Sequence, residues 1–468
     1  MHRILHEPTF WSEYQLFWDK PESVPIGLRL KILLVIGIGS SVCEEASPDS
    51  ELRNMVQQWV YTAQAWLSGP LEKDRLDVSG MQVNCLTIIA RQIFSIGGDL
   101  VWVSMGSLVN RAMQIGINRD PKHLPKMPIL QAEVRRRLWY TILELLVQSS
   151  LDSAMPPRVS YDDFDTEPPS NNNDDEINES TTTLQPHPRS VYTSTAIQLQ
   201  LIDSLPTRLR TVQLLNGLHS GHSYSDVLEL SLEITQACQS CRRFALANKH
   251  AGVTSFKRNM CDYMIRRFLI PLHCPFASEA RANPLFYYSQ KAALDAALAF
   301  ISPEPDERFS LLMARGGGMF REGFRYAAAT ITLELLVQAE AQRNEGTLHH
   351  NRRQLDFLRQ AVNHISAMSW ERIRQGETNI KGPMFIGVVL AIADAVDKDA
   401  LREFSMAKNA RDALLLCLRL LETRANALGS EFLLSPNDAS LASSSFDGDN
   451  GFLLDLNLDF FFQEGGYV

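Results

Sequence analysis

The amino-acid sequence predicts an all-α fold: a large, irregular helical bundle or array, followed by an acidic and hydrophobic C-terminal tail that is disordered or loosely packed. Three observations favour this class. Apolar residues recur at intervals of three and four along most of the chain, which is the spacing of one helical face. Gly and Pro end many of these runs. No run alternates apolar and polar residues in the way that a half-buried β-strand does.

Four helices are expected in the first third of the chain, at 47–69, 79–94, 99–116 and from about residue 131 onward. Ser47 and Asp99 are residue types that cap the N-terminal ends of helices. Gly69 and Gly116 follow the last periodic residues and favour termination there. The apolar faces of these helices predict one shared core.

A polar stretch interrupts the helical pattern. Pro156-Pro157 and Pro168-Pro169 bracket an acidic segment, and an Asn-, Ser- and Thr-rich segment follows. Because such residues have little apolar surface to bury, we expect a loop or linker there. The predicted organisation is an N-terminal helical half at 1–170, a polar loop or linker at 171–190, a C-terminal helical region at 191–430 and a tail at 431–468.

The C-terminal helical region resumes the three-to-four spacing. The expected helices are at 227–245, 256–267, 284–301, 319–342, 352–374, 382–396 and 405–427. Cys238 and Cys241 have the spacing of half a zinc site. They also lie on the apolar stripe of their helix, where a reduced cysteine behaves as a small hydrophobic residue, and this second interpretation is favoured. We predict no cofactor and no metal site in this chain.

The tail from 436 to 468 contains no Lys or Arg and mixes acidic with apolar residues. Its densest part is the candidate activation segment, which consists of Phe452, Leu453, Leu454, Asp455, Leu456, Leu458, Asp459, Phe460, Phe461 and Phe462. Acidic residues keep aromatic and leucine side chains solvated, so that they can fold into a coactivator groove on contact. The alternative is that the three phenylalanines pack back onto the helical body.

Net charge argues against direct recognition of nucleic acid by this chain. The formal net charge is -9, whereas an autonomous nucleic-acid reader usually presents a basic stripe. The triplet Arg135-Arg136-Arg137 spreads over most of a helical turn, and we expect it to be a solvated or salt-bridged helix start. The longest apolar run, at 32–38, contains Gly37 and is too short to span a bilayer, so we expect no membrane association.

Several segments resemble the fungal transcription factor regulatory region, the helical middle homology domain. They are the segment from Ile4 to Phe10 (ILHEPTF), the helix that ends near Asp120, the segment from Arg135 to Tyr140 (RRRLWY), and the segment from Asp162 to Asn171 (DDFDTEPPSN). The family signature residues in this sequence are His6, Glu7, Pro8, Phe10, Arg136, Arg137, Leu138, Trp139, Asp165 and Pro168. The resemblance covers residues 1–300 well and the rest loosely.

The resemblance implies a nuclear regulator of transcription that controls a metabolic or secondary-metabolite gene cluster. In the family this domain accompanies zinc binuclear cluster or two-Cys two-His DNA-binding modules, which lie upstream of the segment from Ile4 to Phe10. No such module is expected within this chain, so zinc would enter only with an upstream module. DNA contact would come from that module, or from a homodimer or partner DNA-binding factor, and the tail would contact coactivators.

The function predicted from the sequence is a transcription regulator, with activation favoured by the tail. The alternative is a helical protein-interaction scaffold or co-regulator without DNA binding. An enzyme is not predicted, because no spacing of His, Cys, Asp or Ser residues matches a catalytic motif. Asp162, Asp163 and Asp165 lie on a proline-bounded stretch and not on a helix facing a cavity, which argues against an all-helical metal-dependent enzyme.

Overall fold

The computed structural model describes residues 1–43, 51–69, 75–97, 100–217, 223–344, 352–398 and 402–429. These residues form sixteen α-helices and no β-strand, which confirms the all-α prediction. The helices are α1 (Glu7–Asp19), α2 (Ile26–Ser40), α3 (Glu51–Ser68), α4 (Val78–Phe94), α5 (Val101–Gln114), α6 (Ile129–Asp152), α7 (Ala196–Asn216), α8 (Tyr224–Ala247), α9 (Ser255–Arg266), α10 (Leu269–Glu279), α11 (Tyr287–Ile301), α12 (Glu307–Arg315), α13 (Gly317–Asn344), α14 (Arg352–Arg374), α15 (Lys381–Lys398) and α16 (Arg402–Gly429).

Helix boundaries agree with the sequence pattern where local chemistry is strong. Helix α4 begins at Val78 because the Asp77 side chain accepts a hydrogen bond from the backbone N–H of Gly80. The helices predicted at 352–374, 319–342 and 382–396 are observed within two residues of their expected ends. Ser47 and Asp99, the two predicted caps, lie outside the described residues.

Helices α1, α2, α7, α10 and α12 were not predicted. Helix α2 is apolar on most sides, so it shows no clear periodicity. Helices α7 and α10 contain Pro206 and Pro275 in their interiors, and a proline in a sequence usually indicates a helix end. Burial on several sides and tertiary packing therefore override the local pattern in α2, α7 and α10.

The described residues up to 418 form one compact unit, and residues 419–429, the last that the structure describes, lie outside it. In the first unit α4 packs against α2, α3, α5 and α13, and α6 packs against α5 and α7. Helices from the N-terminal and the C-terminal parts of this unit contribute to one hydrophobic core. None of the helices in the described ranges is both long and apolar enough to span a membrane.

The polar segment at 171–190 contains no helix longer than one turn, but much of it packs against the rest of the first unit. The side-chain amide of Asn171 donates to the backbone carbonyls of Pro188 and Val191 at 2.8 and 3.0 Å. Thr193 donates to the Asn171 side-chain oxygen at 2.7 Å, and Asn171 is buried. Side-chain amides thus supply the hydrogen bonds that a buried loop needs, and the segment lies inside one compact unit.

Candidate functional site: the polar core around helix α6

One face of α6 carries a stripe of polar side chains that is buried. The stripe consists of Glu133, Arg137, Thr141, Glu144 and Gln148. Their spacings of four, four, three and four residues place them on one side of the helix. Each is at most 7% exposed. Buried polar groups are costly unless they are hydrogen-bonded, so this face requires partners from other segments.

Asp174 joins the N-terminal segment to α6. Arg137 donates to its carboxylate at 2.7 Å, and Arg3 forms a second ion pair with it. The backbone N–H of Glu7 donates to the same carboxylate at 2.9 Å, and His6 Nε2 lies 2.8 Å from the Asp174 carbonyl oxygen. Burial alone would raise the pKa of Asp174, but the charges of Arg137 and Arg3 outweigh it and lower the pKa. An ionised carboxylate therefore holds the chain start against α6.

Asp120 joins the loop after α5 to the acidic stretch after α6. Arg136 donates to its carboxylate through two nitrogens, both at 2.9 Å, and the backbone N–H groups of Lys122 and Glu167 each donate at 3.0 Å. The Asp120 N–H donates to the Asp165 carboxylate at 2.7 Å. Burial would raise the pKa of Asp120, but these hydrogen bonds lower it to about 2. Two-point guanidinium binding of this kind fixes orientation as well as charge.

In the arginine triplet at the start of α6, Arg136 and Arg137 form ion pairs and Arg135 binds backbone carbonyls. Arg135 donates to the carbonyl oxygens of Ile115 and Gly116 at 3.0 and 2.7 Å. Arg136 is paired with Asp120, and Arg137 is only 2% exposed. These contacts agree with the expectation of a solvated or salt-bridged helix start, through ion pairs of Arg136 and Arg137. The three adjacent arginines reach different partners because successive helical positions are rotated about the axis.

Glu133, in the first turns of α6, binds the acidic stretch near its end at Ser170. Its carboxylate accepts hydrogen bonds from the Ser170 backbone N–H at 2.8 Å and from the Ser170 hydroxyl at 3.1 Å. Arg136 also donates to Glu133, at 2.9 Å. The acidic stretch therefore returns to the start of α6.

Glu144 and Arg208 form a fully buried ion pair between α6 and α7. The two guanidinium nitrogens donate to the two carboxylate oxygens at 2.6 and 2.7 Å. Gln148 donates to Glu144 at 2.9 Å and to the backbone carbonyl of Met264 on α9, also at 2.9 Å. Burial would raise the pKa of Glu144, but the charge and hydrogen bonds of Arg208 lower it. The pair connects α6 with α7 and, through Gln148, with α9.

Among the remaining signature residues, the apolar side chains pack in the interior and the two prolines are exposed. Leu138 and Trp139 are fully buried, and Phe10 packs against a small apolar cluster that includes residues of α2. Pro8 and Pro168 are exposed. The signature therefore combines the Asp120 and Asp174 clusters with apolar packing. The candidate activation segment, residues 452–462, lies outside the described residues.

Sequence reasoning missed the acidic partners in these clusters, namely Glu133, Glu144 and Asp174. A signal for two of them was present, because Glu133 and Glu144 lie on the polar stripe of α6. Such a stripe ordinarily indicates a solvent-facing side. In α6 it faces protein, since the opposite side is also buried against the core.

The two cysteines at the zinc-like spacing are core residues. Cys238 and Cys241 are 3% and 5% exposed on α8, as their apolar stripe predicted. Burial raises the pKa of Cys238 to about 12, which keeps the thiol protonated. Within the described ranges no three His, Cys, Asp or Glu side chains are grouped so as to bind a metal ion.

The fold and this core define an all-α domain in which buried carboxylates join the N-terminal segment, α6 and the following loop. Residues 2–218 match the family model described as the fungal specific transcription factor domain. Residues 2–218 are therefore similar to the domain of this family, as the resemblance to the middle homology domain predicted. The Asp120 and Asp174 clusters and the Glu144–Arg208 pair lie within the matched residues.

Curated relatives extend the similarity beyond the family domain. The chain is 42% identical over 465 residues to "Transcription factor asR3" of Sarocladium schorii, covering 91% of this chain and 54% of that protein. It is 36% identical over 351 residues to "Transcription factor lepE" of Aspergillus flavus, covering 72% and 42%. It is 34% identical over 344 residues to "Aspyridones cluster regulator apdR" of Emericella nidulans, covering 69% and 46%.

The chain spans about half the length of these relatives. No solved structure matches the chain significantly.

Proposed function

We propose that this chain is the regulatory portion of a fungal transcription regulator that controls a secondary-metabolite gene cluster. The observation that carries the proposal is the similarity, over 91% of the chain, to a protein named as a transcription factor. A second relative is named as the regulator of the aspyridones cluster. The proposed site of action is the nucleus.

DNA contact in this proposal is indirect. A formal net charge of -9 opposes close approach to phosphates. Recognition of DNA is therefore assigned to a zinc-binding module outside this sequence, or to a homodimer or partner DNA-binding factor. The helical unit at 1–418 then acts as a regulatory body, with α6 and its ion pairs maintaining one arrangement of the N-terminal helices.

Activation is assigned to the tail, with the segment from Phe452 to Phe462 as the part that contacts coactivators. The absence of Lys and Arg from 436–468 leaves its acidic residues unneutralised within the tail, which favours solvation of the neighbouring apolar side chains. The competing possibility is an intramolecular anchor formed by the three phenylalanines, in which case the tail would be unavailable to partners.

The test is a reporter assay with this chain fused to an unrelated DNA-binding domain, with and without residues 436–468. We expect strong activation that is lost on deletion. Replacing Phe460, Phe461 and Phe462 together by Ala should reduce activation as the deletion does. Replacing Ser443, Ser444 and Ser445 by Ala in the same tail is the matched control and should leave activation unchanged.

Two outcomes would contradict this assignment. Silence of all fusions, with normal protein levels, would contradict the activating tail and favour a repressor or a helical scaffold. Equal activation with and without residues 436–468 would move the activating function into the helical body.

A further inference from the structure

A cavity of about 220 Å³ lies between α8, α9 and α11, with the loop at 302–304 at one side. It is formed by residues from 238 to 323, C-terminal to the family domain at 2–218. Its volume corresponds to roughly seven water molecules at the density of liquid water. This space is suited to a small molecule and is too small for a peptide segment.

The inner wall of the cavity is apolar. Cys238 and Cys241 contribute protonated thiols, and Ile270 and Ala296 are each 2% exposed. Gly323 lies opposite, where an added Cβ would be 3.1 Å from the Tyr263 ring. Small side chains at helix crossings therefore keep the space open, and the wall favours an apolar ligand body.

The polar part of the cavity is cationic. Arg258 pairs with Glu304 at 2.7 Å, Arg266 pairs with Asp262 at 2.6 Å, and Arg267 pairs with Asp152. Arg242 is the fourth arginine that lines the cavity. Four guanidinium groups are thus matched by three carboxylates, which leaves an excess of one positive charge.

Arg242 carries this excess charge. It lies on the exposed side of α8, one turn from Cys238, and it forms no hydrogen bond or ion pair within the part of the chain that the structure describes. Arg258 and Arg267, by contrast, are less than 10% exposed and are already paired. Arg242 is therefore the guanidinium available to an incoming anion at the entrance of an apolar space.

We propose that this cavity binds a small organic monocarboxylate, with the apolar body against Cys238, Ile270 and Ala296 and the carboxylate on Arg242. A guanidinium fork matches the geometry of a carboxylate, and one negative charge balances the unpaired cation. The site goes beyond the proposed role in transcription and does not depend on it, because binding can be measured on the chain alone.

The experiment is isothermal titration calorimetry of the complete chain with benzoate at millimolar concentrations. Benzamide, which has the same shape and no charge, is the matched ligand control. We expect saturable binding of benzoate at one site. Benzamide should bind at least about tenfold more weakly. Arg242→Gln should weaken benzoate binding by about tenfold. Ala299→Leu, which adds volume at the cavity wall, should abolish binding of both ligands.

Arg243→Gln is the matched control variant, because Arg243 is the adjacent exposed arginine and donates to the Gln239 carbonyl outside the cavity. It should bind benzoate like the parent chain. Both arginine variants alter exposed side chains, so their thermal unfolding should match that of the parent. The proposal is overturned if benzoate does not bind, if benzamide binds equally well, or if Arg242→Gln and Arg243→Gln have the same effect.

Discussion

At the scale of single residues, buried ion pairs determine how the polar core of this domain responds to mutation. Glu144 and Arg208 are both removed from water, which costs several kcal/mol for each ion. Two short hydrogen bonds between them offset this cost. The pair is consequently more important as a matched unit than either charge alone.

We expect Glu144→Gln to lower the free energy of unfolding by about 3–5 kcal/mol, because it leaves the Arg208 guanidinium buried and uncompensated. Urea denaturation measures the change. Glu229→Gln is the surface control, since Glu229 is 66% exposed and 3.9 Å from Arg210; its cost should be at most about 1 kcal/mol.

Combining Glu144→Leu with Arg208→Met should recover much of this loss, because apolar residues can replace a buried pair. A cost for Glu144→Gln no larger than that for Glu229→Gln would contradict the role assigned to the pair.

Asp120 makes a pH-dependent contribution to stability. Its pKa is about 2 in the folded chain and about 4 in an unfolded one. A folded-state pKa below the unfolded value means that the charge stabilises the fold above about pH 4, and that this stabilisation is lost as the pH falls toward 2. Asp120→Asn should therefore destabilise the chain at neutral pH and have a progressively smaller effect between about pH 4 and 2.

Denaturant titrations of the parent and Asp120→Asn chains at a series of pH values measure this difference. Asp162→Asn provides a comparison on the acidic stretch, because Asp162 is exposed, and it should show a much smaller change. A difference between parent and Asp120→Asn that stays constant with pH would rule out the ionised Asp120 as the stabilising species.

At the scale of elements, close helix contacts constrain side-chain size. Gly318, in the first turn of α13, faces α4, and an added Cβ would be 2.5 Å from the Gln92 backbone oxygen. A backbone atom cannot move aside as a flexible side chain can. Gly318 therefore allows α4 and α13 to approach, although they are more than 200 residues apart in the sequence.

We expect Gly318→Ala to lower the free energy of unfolding by about 1–3 kcal/mol through this overlap. Gly106→Ala is the matched control in α5, because no atom lies within 4 Å of its added Cβ. Since Ala has the higher helix propensity, Gly106→Ala should stabilise the chain by up to about 1 kcal/mol. Thermal or urea unfolding of both variants tests the prediction, and stabilisation by both would contradict the close contact.

Helix α6 shows why an element can be predicted while its environment is not. Its apolar positions predicted a helix near residue 131, and one is observed from Ile129. The polar stripe on its other side resembled a solvent-facing surface. Burial of Arg137 and Glu144 is favourable only because each has a partner from later in the chain. Asp174 pairs with Arg137, and Arg208 pairs with Glu144.

At the scale of the whole molecule, the first unit connects early and late helices across the polar segment. Helix α6 packs against α7, and α4 packs against α13. These contacts bury one continuous core. The segment at 171–190 therefore separates two groups of helices along the sequence. In the folded unit, helices from before and after this segment pack together.

Cleavage of the polar segment should consequently leave the first unit assembled. A protease site introduced between Thr182 and Thr183, which are both exposed, should be cut readily in the folded chain. The two fragments should co-elute in size-exclusion chromatography, and the helical circular dichroism signal should be retained. Separation into two independently folded fragments would contradict a single cooperative unit. The same site placed within α6 should resist cleavage and serves as the control.

The sequence by itself determined the helical class, most helix positions in the C-terminal region and the core location of Cys238 and Cys241. These properties depend on periodicity and local capping, which are determined by residues close together in the sequence. Tertiary structure alone decided the partners of the three arginines at 135–137, the burial of Asp120 and Asp174, and the positive excess beside the cavity at α8. The physical reason is that a charge is stable inside a protein only when its partner is present, and those partners come from segments distant along the chain.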